Sequence, residues 1–364
     1  MSEEIINNIS ENTENTSSPS MKKQFRNLCL RLGFMIIAIF VLRGICTIIV
    51  SLMAPYLNTL DATLSYVIKT AFSLVFVDIL PILATIVILK VPVGKMCGKI
   101  YTKPKYFGSA LGMFPAFYSL AIITNLITML ISKLFADTTL NDSFNTMNNL
   151  VAPNMVCGVI LFVEMVVLAP LFEEFWFRGL VMESLRPYGN GVAIFVSALL
   201  FGLAHANFAQ FFYAFVFGIF LGYIAVQTRS IVTTTVMHAM FNLVSASLLL
   251  LLTEKSVGDY MLSAQTGEEI VYTPAVIIYI SIMVIMMVTM VVGFFMAIHK
   301  FTKIRRYTVP KVQTELSAAK RWGIFLSSAT VIIGFLLAAD TFTLQFIPKV
   351  IFSLLYPVFW TIPA

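Results

Sequence analysis

The sequence contains little charge for its length. Of its 364 residues, 12% are Asp, Glu, Lys or Arg, against roughly 25% in soluble domains, and 59% are hydrophobic. Polar surface is therefore too scarce to cover a soluble globule, and the composition predicts an integral, multi-pass membrane protein. A net charge of +6 could suggest nucleic-acid binding. The basic residues lie between the apolar runs, however, which argues against a nucleic-acid partner.

Cysteine is also scarce, and its placement argues against a cysteine-based metal site. Cys29, Cys46, Cys97 and Cys157 show no metal-ligand spacing, and three of them lie in or beside apolar segments. They are predicted to be unpaired, small hydrophobic residues. The first 27 residues are polar and rich in Asn, Ser and Glu, which predicts a disordered tail (1–27) and no signal peptide.

Long apolar runs occupy most of the remaining chain and predict an all-α bundle of transmembrane helices. A helix needs about 20 apolar residues to cross a bilayer. Nine spans are predicted, or eight because the fifth is short: 28–53, 64–90, 106–134, 155–184, 191–206, 208–227, 230–252, 274–300 and 321–345. We divide them into N-terminal helices (28–150), a central block (151–252) and C-terminal helices (253–364).

Lysine and arginine predict the orientation of this bundle. With the N-terminus inside, the inner segments hold most of the basic residues, and the outer loops hold only Lys133, Lys255 and Lys349. Loops rich in Lys and Arg stay on the cytoplasmic side. The N-terminus is therefore predicted to be cytoplasmic, with outer loops at about 133–154 and 253–273.

Two adjacent carboxylates stand in the stretch LFEEFWFR, residues 171–178. Ionisable side chains inside membrane helices are rare, so each is first treated as a candidate functional residue. Glu174 and Arg178 are one turn apart, so they share a helix face and can form an ion pair. Glu173 points about 100° away around the helix and has no local partner. Pro170, which lacks a backbone donor, is expected to kink the helix just before this pair.

Two more one-turn patterns carry the intramembrane histidines. Phe201 and His205 frame FGLAH, and His238 and Asn242 frame HAMFN. The inner ends of the three helices are placed near Arg186, Gly191 and Ser230. At 1.5 Å per residue from these ends, Glu173, His205 and His238 lie roughly 20, 21 and 12 Å inside the membrane. Titratable groups at related depths on separate helices predict a shared cavity that contains water.

Other intramembrane groups are predicted to be structural. Asp78 could pair with Arg43 on a neighbouring helix, or with Lys69. Glu164 precedes Glu173 by nine residues, which is half a turn out of phase in an α-helix, so it is predicted to face away. The stretch GIFLG at 218–222 predicts close helix packing rather than a site.

The three patterns, in this order, resemble the CPBP family of intramembrane proteases, which includes the eukaryotic CAAX prenyl endopeptidase and Abi-like bacteriocin-processing or immunity proteins. The motifs lie within roughly 155–250; elsewhere the chain agrees only as a hydrophobic multi-span protein. The resemblance implies a conical catalytic cavity in the membrane, built by the central block.

The resemblance also implies a glutamate-type endopeptidase. Glu173 would be the general base on a water that His205 orients or relieves of its proton. His238 and Asn242 would donate hydrogen bonds to the oxyanion. Three residues would support the site: Glu174, Arg178 and Phe201. No cofactor is expected.

Three alternatives remain open beside the metal-free peptidase. Glu173, His205 and His238 could be zinc ligands of a metalloprotease, although no His-Glu-x-x-His helix exists. Intramembrane carboxylates and histidines also suit a non-proteolytic immunity or binding protein, or a proton-coupled transporter. Peptidase activity is favoured. The expected substrates are membrane-anchored or lipidated peptides, or protein C-termini, and the expected surroundings are the lipid bilayer. A composition rich in Asn, Ile and Lys indicates a bacterial cell membrane.

Overall fold

Helices form all the regular structure in the described part of the chain. The computed structural model describes residues 20–93, 106–135, 152–301, 312 and 314–343. Within these residues there are helices and no strands, which confirms the predicted all-α bundle. Residues 1–19 of the predicted tail, Cys97, and residues 136–151 of the predicted outer loop lie outside the described residues. The other three cysteines are buried and unpaired, as predicted.

The helices are numbered here in chain order. They are α1 (Met21–Leu57), α2 (Ala62–Leu89), α3 (Phe107–Leu111), α4 (Phe114–Phe135), α5 (Met155–Tyr188), α6 (Asn190–Ala204), α7 (Phe208–Thr228), α8 (Ile231–Leu251), α9 (Lys255–Thr266), α10 (Pro274–Phe301), α11 (Ala318–Leu326) and α12 (Ala329–Thr343).

The described helices supply seven candidate membrane spans, or eight, rather than nine. The seven are α1, α2, α3 with α4, α5, α7, α8 and α10. Together α11 and α12 are also apolar and long enough, but they bend by 63° at their junction. The predicted span at 191–206 corresponds to α6, whose 15 residues extend only about 22 Å. This helix is too short to cross a bilayer of about 30 Å.

The first helix begins inside the stretch that was predicted to be a tail. It starts at Met21, so residues 21–27 are helical and the boundary at residue 27 is wrong. Lys22, Lys23 and Arg26 are good helix formers despite their charge. Phe25 among them is fully buried and packs on Tyr188 with 4.7 Å between the ring centroids. Residues 21–27 therefore form the amphipathic start of α1, although their polar composition resembles that of a tail.

The short helix α6 lies at the centre of the bundle, against α7 and the second half of α5. Gly218 and Gly222 of α7 allow this close approach. A Cβ on Gly218 would meet Ala198 at 3.1 Å, and one on Gly222 would meet Ile194 at 3.2 Å. The GIFLG stretch is thus a close-packing surface, as predicted.

Wider π-helical turns precede an internal proline in two of the spans. In α2 the segment Leu74–Ile79 precedes Pro81, and in α5 the segment Glu164–Leu168 precedes Pro170. A proline ring clashes with the carbonyl four residues back. A π turn shifts the hydrogen bonds to five residues and removes that clash. At Pro170 the helix therefore responds with a π turn.

Candidate active site

A fully buried ion pair forms the base of the site. Arg178 donates from Nη1 to Glu174 Oε1 at 2.8 Å, and neither side chain is exposed. This is the pair that the sequence predicted from its one-turn spacing. Both residues lie in a further π segment of α5, Glu174–Met182.

Neighbouring helices hold the arginine in place. Arg178 Nη2 donates to the carbonyl of Gly218 on α7 at 3.2 Å. Its guanidinium lies 4.5 Å from the centroid of the Phe201 ring on α6, a cation–π distance. Phe201 is itself buried and meets His205 and His238 edge-on. The predicted supporting residues thus form one buried group.

His238 of α8 connects the two adjacent carboxylates. Its Nδ1 lies 3.0 Å from Glu174 Oε1, and its Nε2 lies 3.7 Å from Glu173 Oε2. Since a carboxylate oxygen accepts, Nδ1 carries the hydrogen and Nε2 is the nitrogen turned to Glu173. The spacing of EE and HAMFN gave no indication of this bridge, because it joins residues 64 apart in sequence.

Glu173 is the carboxylate that remains available for chemistry. Its Oε2 is buried and makes no hydrogen bond within the described residues. The side chain is 20% exposed and lines a cavity of about 350 Å³. This volume holds several water molecules, at roughly 30 Å³ each. The predicted difference between the two glutamates is therefore present: one is paired, and the other faces a cavity.

His205 lines the same cavity from the end of α6. The helix ends at Ala204, and Ala206 adopts a positive φ of 51°, which turns the chain sharply after the histidine. His205 Nδ1 lies 2.8 Å from the carbonyl oxygen of Phe201. A carbonyl only accepts, so Nδ1 carries the hydrogen, and in the neutral imidazole Nε2 then keeps its lone pair. The Phe-x-x-x-His spacing thus fixes the histidine through the phenylalanine backbone.

Asn242 is placed differently from the other predicted site residues. Its Nδ2 donates to the carbonyl of Met165 on α5 at 2.8 Å. Met165 is among the cavity-lining residues, whereas Asn242 is not. One hydrogen of the amide is therefore committed to the backbone of α5.

Three charged residues that were expected to be structural also line the cavity: Arg43, Asp78 and Glu164. The prediction that Glu164 faces away from Glu173 is wrong. It assumed a continuous α-helix, but the π segment Glu164–Leu168 adds about one residue per turn, a rotation of about 100°. Arg43 and Asp78 are not joined by an ion pair within 4.0 Å; their intramembrane position was the signal that could have assigned them to the cavity.

The described side chains do not offer a ready metal site. No group of three or more His, Cys, Asp or Glu side chains is placed to hold a metal ion among them. The alternative zinc ligands Glu173, His205 and His238 are all within this part of the chain. His238 Nδ1 is already bonded to Glu174. That bond leaves Nε2 of His238, which is turned to Glu173, as the other ring nitrogen.

The long apolar helices and the buried Glu–Arg–His network define an integral membrane protein with an ionisable site inside its bundle. Residues 154–244 match the family described as Type II CAAX prenyl endopeptidase Rce1-like. The match covers α5 to most of α8, the helices that supply Glu173, Glu174, His205, His238 and Asn242. Over these residues the chain is therefore similar to the CAAX protease (CPBP) family, a class of intramembrane peptidases. No curated protein and no solved structure matches the chain.

Proposed function

We propose that this protein is a glutamate-type intramembrane endopeptidase that activates water with Glu173. The observation that supports it most directly is the contrast between two adjacent carboxylates. Glu174 is neutralised by Arg178, whereas Glu173 Oε2 has no hydrogen-bond partner in the described structure and its side chain lines the cavity. A general base needs a free lone pair and access to water; the unbonded Oε2 of Glu173 and the cavity beside its side chain support this role.

In the proposed reaction Glu173 takes a proton from a water in the cavity. The hydroxyl adds to the carbonyl carbon of the scissile peptide bond, and the carbonyl oxygen becomes the oxyanion. His205 orients the water by accepting its second hydrogen at Nε2. When the intermediate collapses, the C–N bond breaks and Glu173 returns the proton to the leaving amine.

His238 is the proposed donor to the oxyanion. Its Nε2 is turned to the side of Glu173, and Glu174 fixes the ring from the other side. Donation from both Nδ1 and Nε2 requires a ring that carries a hydrogen on each nitrogen. Asn242 was predicted as the second donor, but its amide bonds to the Met165 carbonyl and it is not among the cavity-lining residues.

The test of the base is Glu173→Gln, which keeps the shape of the side chain and removes its basicity. We expect stable protein without cleavage of membrane peptides. Glu164→Gln is the matched control, because it changes another carboxylate of the same helix and cavity. Cleavage by Glu173→Gln at near the wild-type rate would refute the base assignment.

Metal dependence is tested separately, by exhaustive chelation of the purified protein. A metal-free mechanism predicts unchanged cleavage after chelation. Loss of cleavage that zinc restores would instead assign Glu173, His205 and His238 to a metal ion.

The proposed substrates are membrane-anchored or lipidated peptides or protein C-termini, cleaved within or at the bilayer. The family description supports this class. So does an exposed apolar side of α5, where Val163, Val167 and Leu171 are each at least 44% exposed beside the cavity-lining residues. Membrane proteomics of cells with wild-type or Glu173→Gln protein should reveal peptide ends that only the wild type produces.

We further propose a bacterial cell membrane as the location, with a cytoplasmic N-terminus. The asymmetry of Lys and Arg between the inner segments and the outer loops supports this orientation. Single cysteines at Ser17 and Ser143 should be, respectively, protected from and labelled by an impermeant thiol reagent in intact cells. The reverse pattern would invert the topology.

A further inference from the structure

The π segment before Pro170 leaves one backbone carbonyl without its usual donor. The N–H of Ala169 bonds to the carbonyl of Glu164, five residues back. In the same register the next bond would run from residue 170 to the carbonyl of Met165. Proline has no N–H, and the N–H four residues after Met165 is the one already given to Glu164. Met165 therefore lacks a donor from these two positions of its own helix.

A backbone carbonyl without a donor is costly inside a bilayer, where no lipid atom can replace the missing hydrogen bond. In this protein the donor comes from the side chain of Asn242 on α8, at 2.8 Å. Neighbouring helices are a known means of satisfying groups that a proline frees in a membrane helix. Asn242 thus supplies the hydrogen that residue 170 cannot.

The position of this bond relates it to the site. Met165 precedes Pro170 by five residues, and the proposed base Glu173 follows Pro170 by three. A shift of α5 at Met165 would therefore also move Glu173. One turn apart on α8, His238 contacts Glu174 and Asn242 contacts Met165. Helix α8 therefore bonds to α5 both before and after Pro170.

We propose that Asn242 is a positioning residue that holds the proline-interrupted segment of α5, and with it Glu173, by replacing the backbone donor that Pro170 lacks. The proposal rests on the proposed role of Glu173 as the base, and it requires no contact between Asn242 and substrate. Displacement of a reacting group by about 1 Å can lower turnover by about 10²-fold. A loss of that size is expected for Asn242→Ala, in kcat rather than in KM.

The test is a double-mutant cycle with Asn242→Ala and Pro170→Ala, which gives residue 170 an N–H in register with the Met165 carbonyl. Thermal stability in detergent and kcat on a membrane-anchored reporter peptide are measured for all four proteins. The double variant should regain at least about tenfold of the kcat lost in Asn242→Ala, because the Met165 carbonyl again has a donor. Its unfolding temperature should also rise above that of Asn242→Ala.

Pro81→Ala is the matched control. Pro81 follows the π segment of α2 as Pro170 follows that of α5, with the N–H of Leu80 bonded to the carbonyl of Val75. The same substitution there supplies a backbone donor to the wrong helix and should restore nothing to Asn242→Ala. If Pro170→Ala does not accumulate, Pro170→Val supplies the same N–H with a larger side chain.

Two results would overturn the proposal. If the double variant is stable but its kcat does not rise above that of Asn242→Ala, the bond to Met165 does not contribute to catalysis. Recovery of the unfolding temperature without kcat would show that the amide acts on the reacting carbonyl itself. Both results leave the wild-type cleavage intact, whereas failure of the proposed function would appear as cleavage by Glu173→Gln.

Discussion

Removal of Arg178 tests how much of the bundle depends on one buried ion pair. Arg178→Ala leaves Glu174 fully buried without its 2.8 Å ionic partner and deletes the bond to the Gly218 carbonyl. Breaking a buried pair by removing one member costs about 3–5 kcal/mol, because the other charge remains uncompensated. The lost contact with Phe201 adds to the damage, at about 0.5–2 kcal/mol for a cation–π pair.

The assay is thermal unfolding in detergent micelles, followed by fluorescence or by loss of the monodisperse peak. Arg186→Ala is the matched control, since Arg186 pairs with Glu183 in the same helix but the side chains are 30% and 19% exposed. Such a pair contributes about 0–1 kcal/mol. Arg178→Ala should therefore unfold at a clearly lower temperature than Arg186→Ala. The double variant Glu174→Met, Arg178→Met should recover part of the loss, because it leaves no unpaired charge. Equal unfolding temperatures for the two arginine variants would refute the reasoning.

Two other predictions concern α7 and α6. Gly218→Val places branched carbons where a Cβ already meets Ala198 at 3.1 Å, so we expect a loss of about 1–3 kcal/mol in unfolding experiments; Gly258→Val, with nothing within 4 Å, is the control and should have little effect. His205→Phe keeps an aromatic ring beside Phe201 but removes Nε2, so kcat should fall by about 10²–10⁴ while the unfolding temperature stays near that of the wild type. A His205→Phe protein with normal turnover would exclude His205 from water activation.

Local spacing predicted the parts of the site that lie within one helix. The Glu174–Arg178 pair and the contact of His205 with Phe201 both follow from the period of the α-helix, which places residues four apart on one face. Glycines four apart likewise predicted close helix packing at 218–222, and the structure shows that the partner is α6. The all-α class followed from apolar run length alone.

The sequence-based predictions were wrong where a helix departs from the α-helical period, and where a membrane span was inferred from apolar residues alone. A π segment rotates Glu164 to the cavity, although the α-helical period placed it on the opposite face. The helix α6 is apolar because it is buried among other helices, and its 15 residues do not span a bilayer. The first turn of α1 is polar on one side, so its composition resembled a tail.

The amino-acid sequence by itself determined the membrane class of this protein, the pairing of Glu174 with Arg178, the lack of a partner for Glu173 within its own helix, and the helix faces that carry the histidines. Only the tertiary structure decided that His238 bridges the two glutamates, and that Asn242 bonds to the Met165 carbonyl. These contacts join residues 64 and 77 positions apart, so they depend on how α8 packs against α5. A helix period fixes which side chains share a face, but it does not specify which neighbouring helix that face meets.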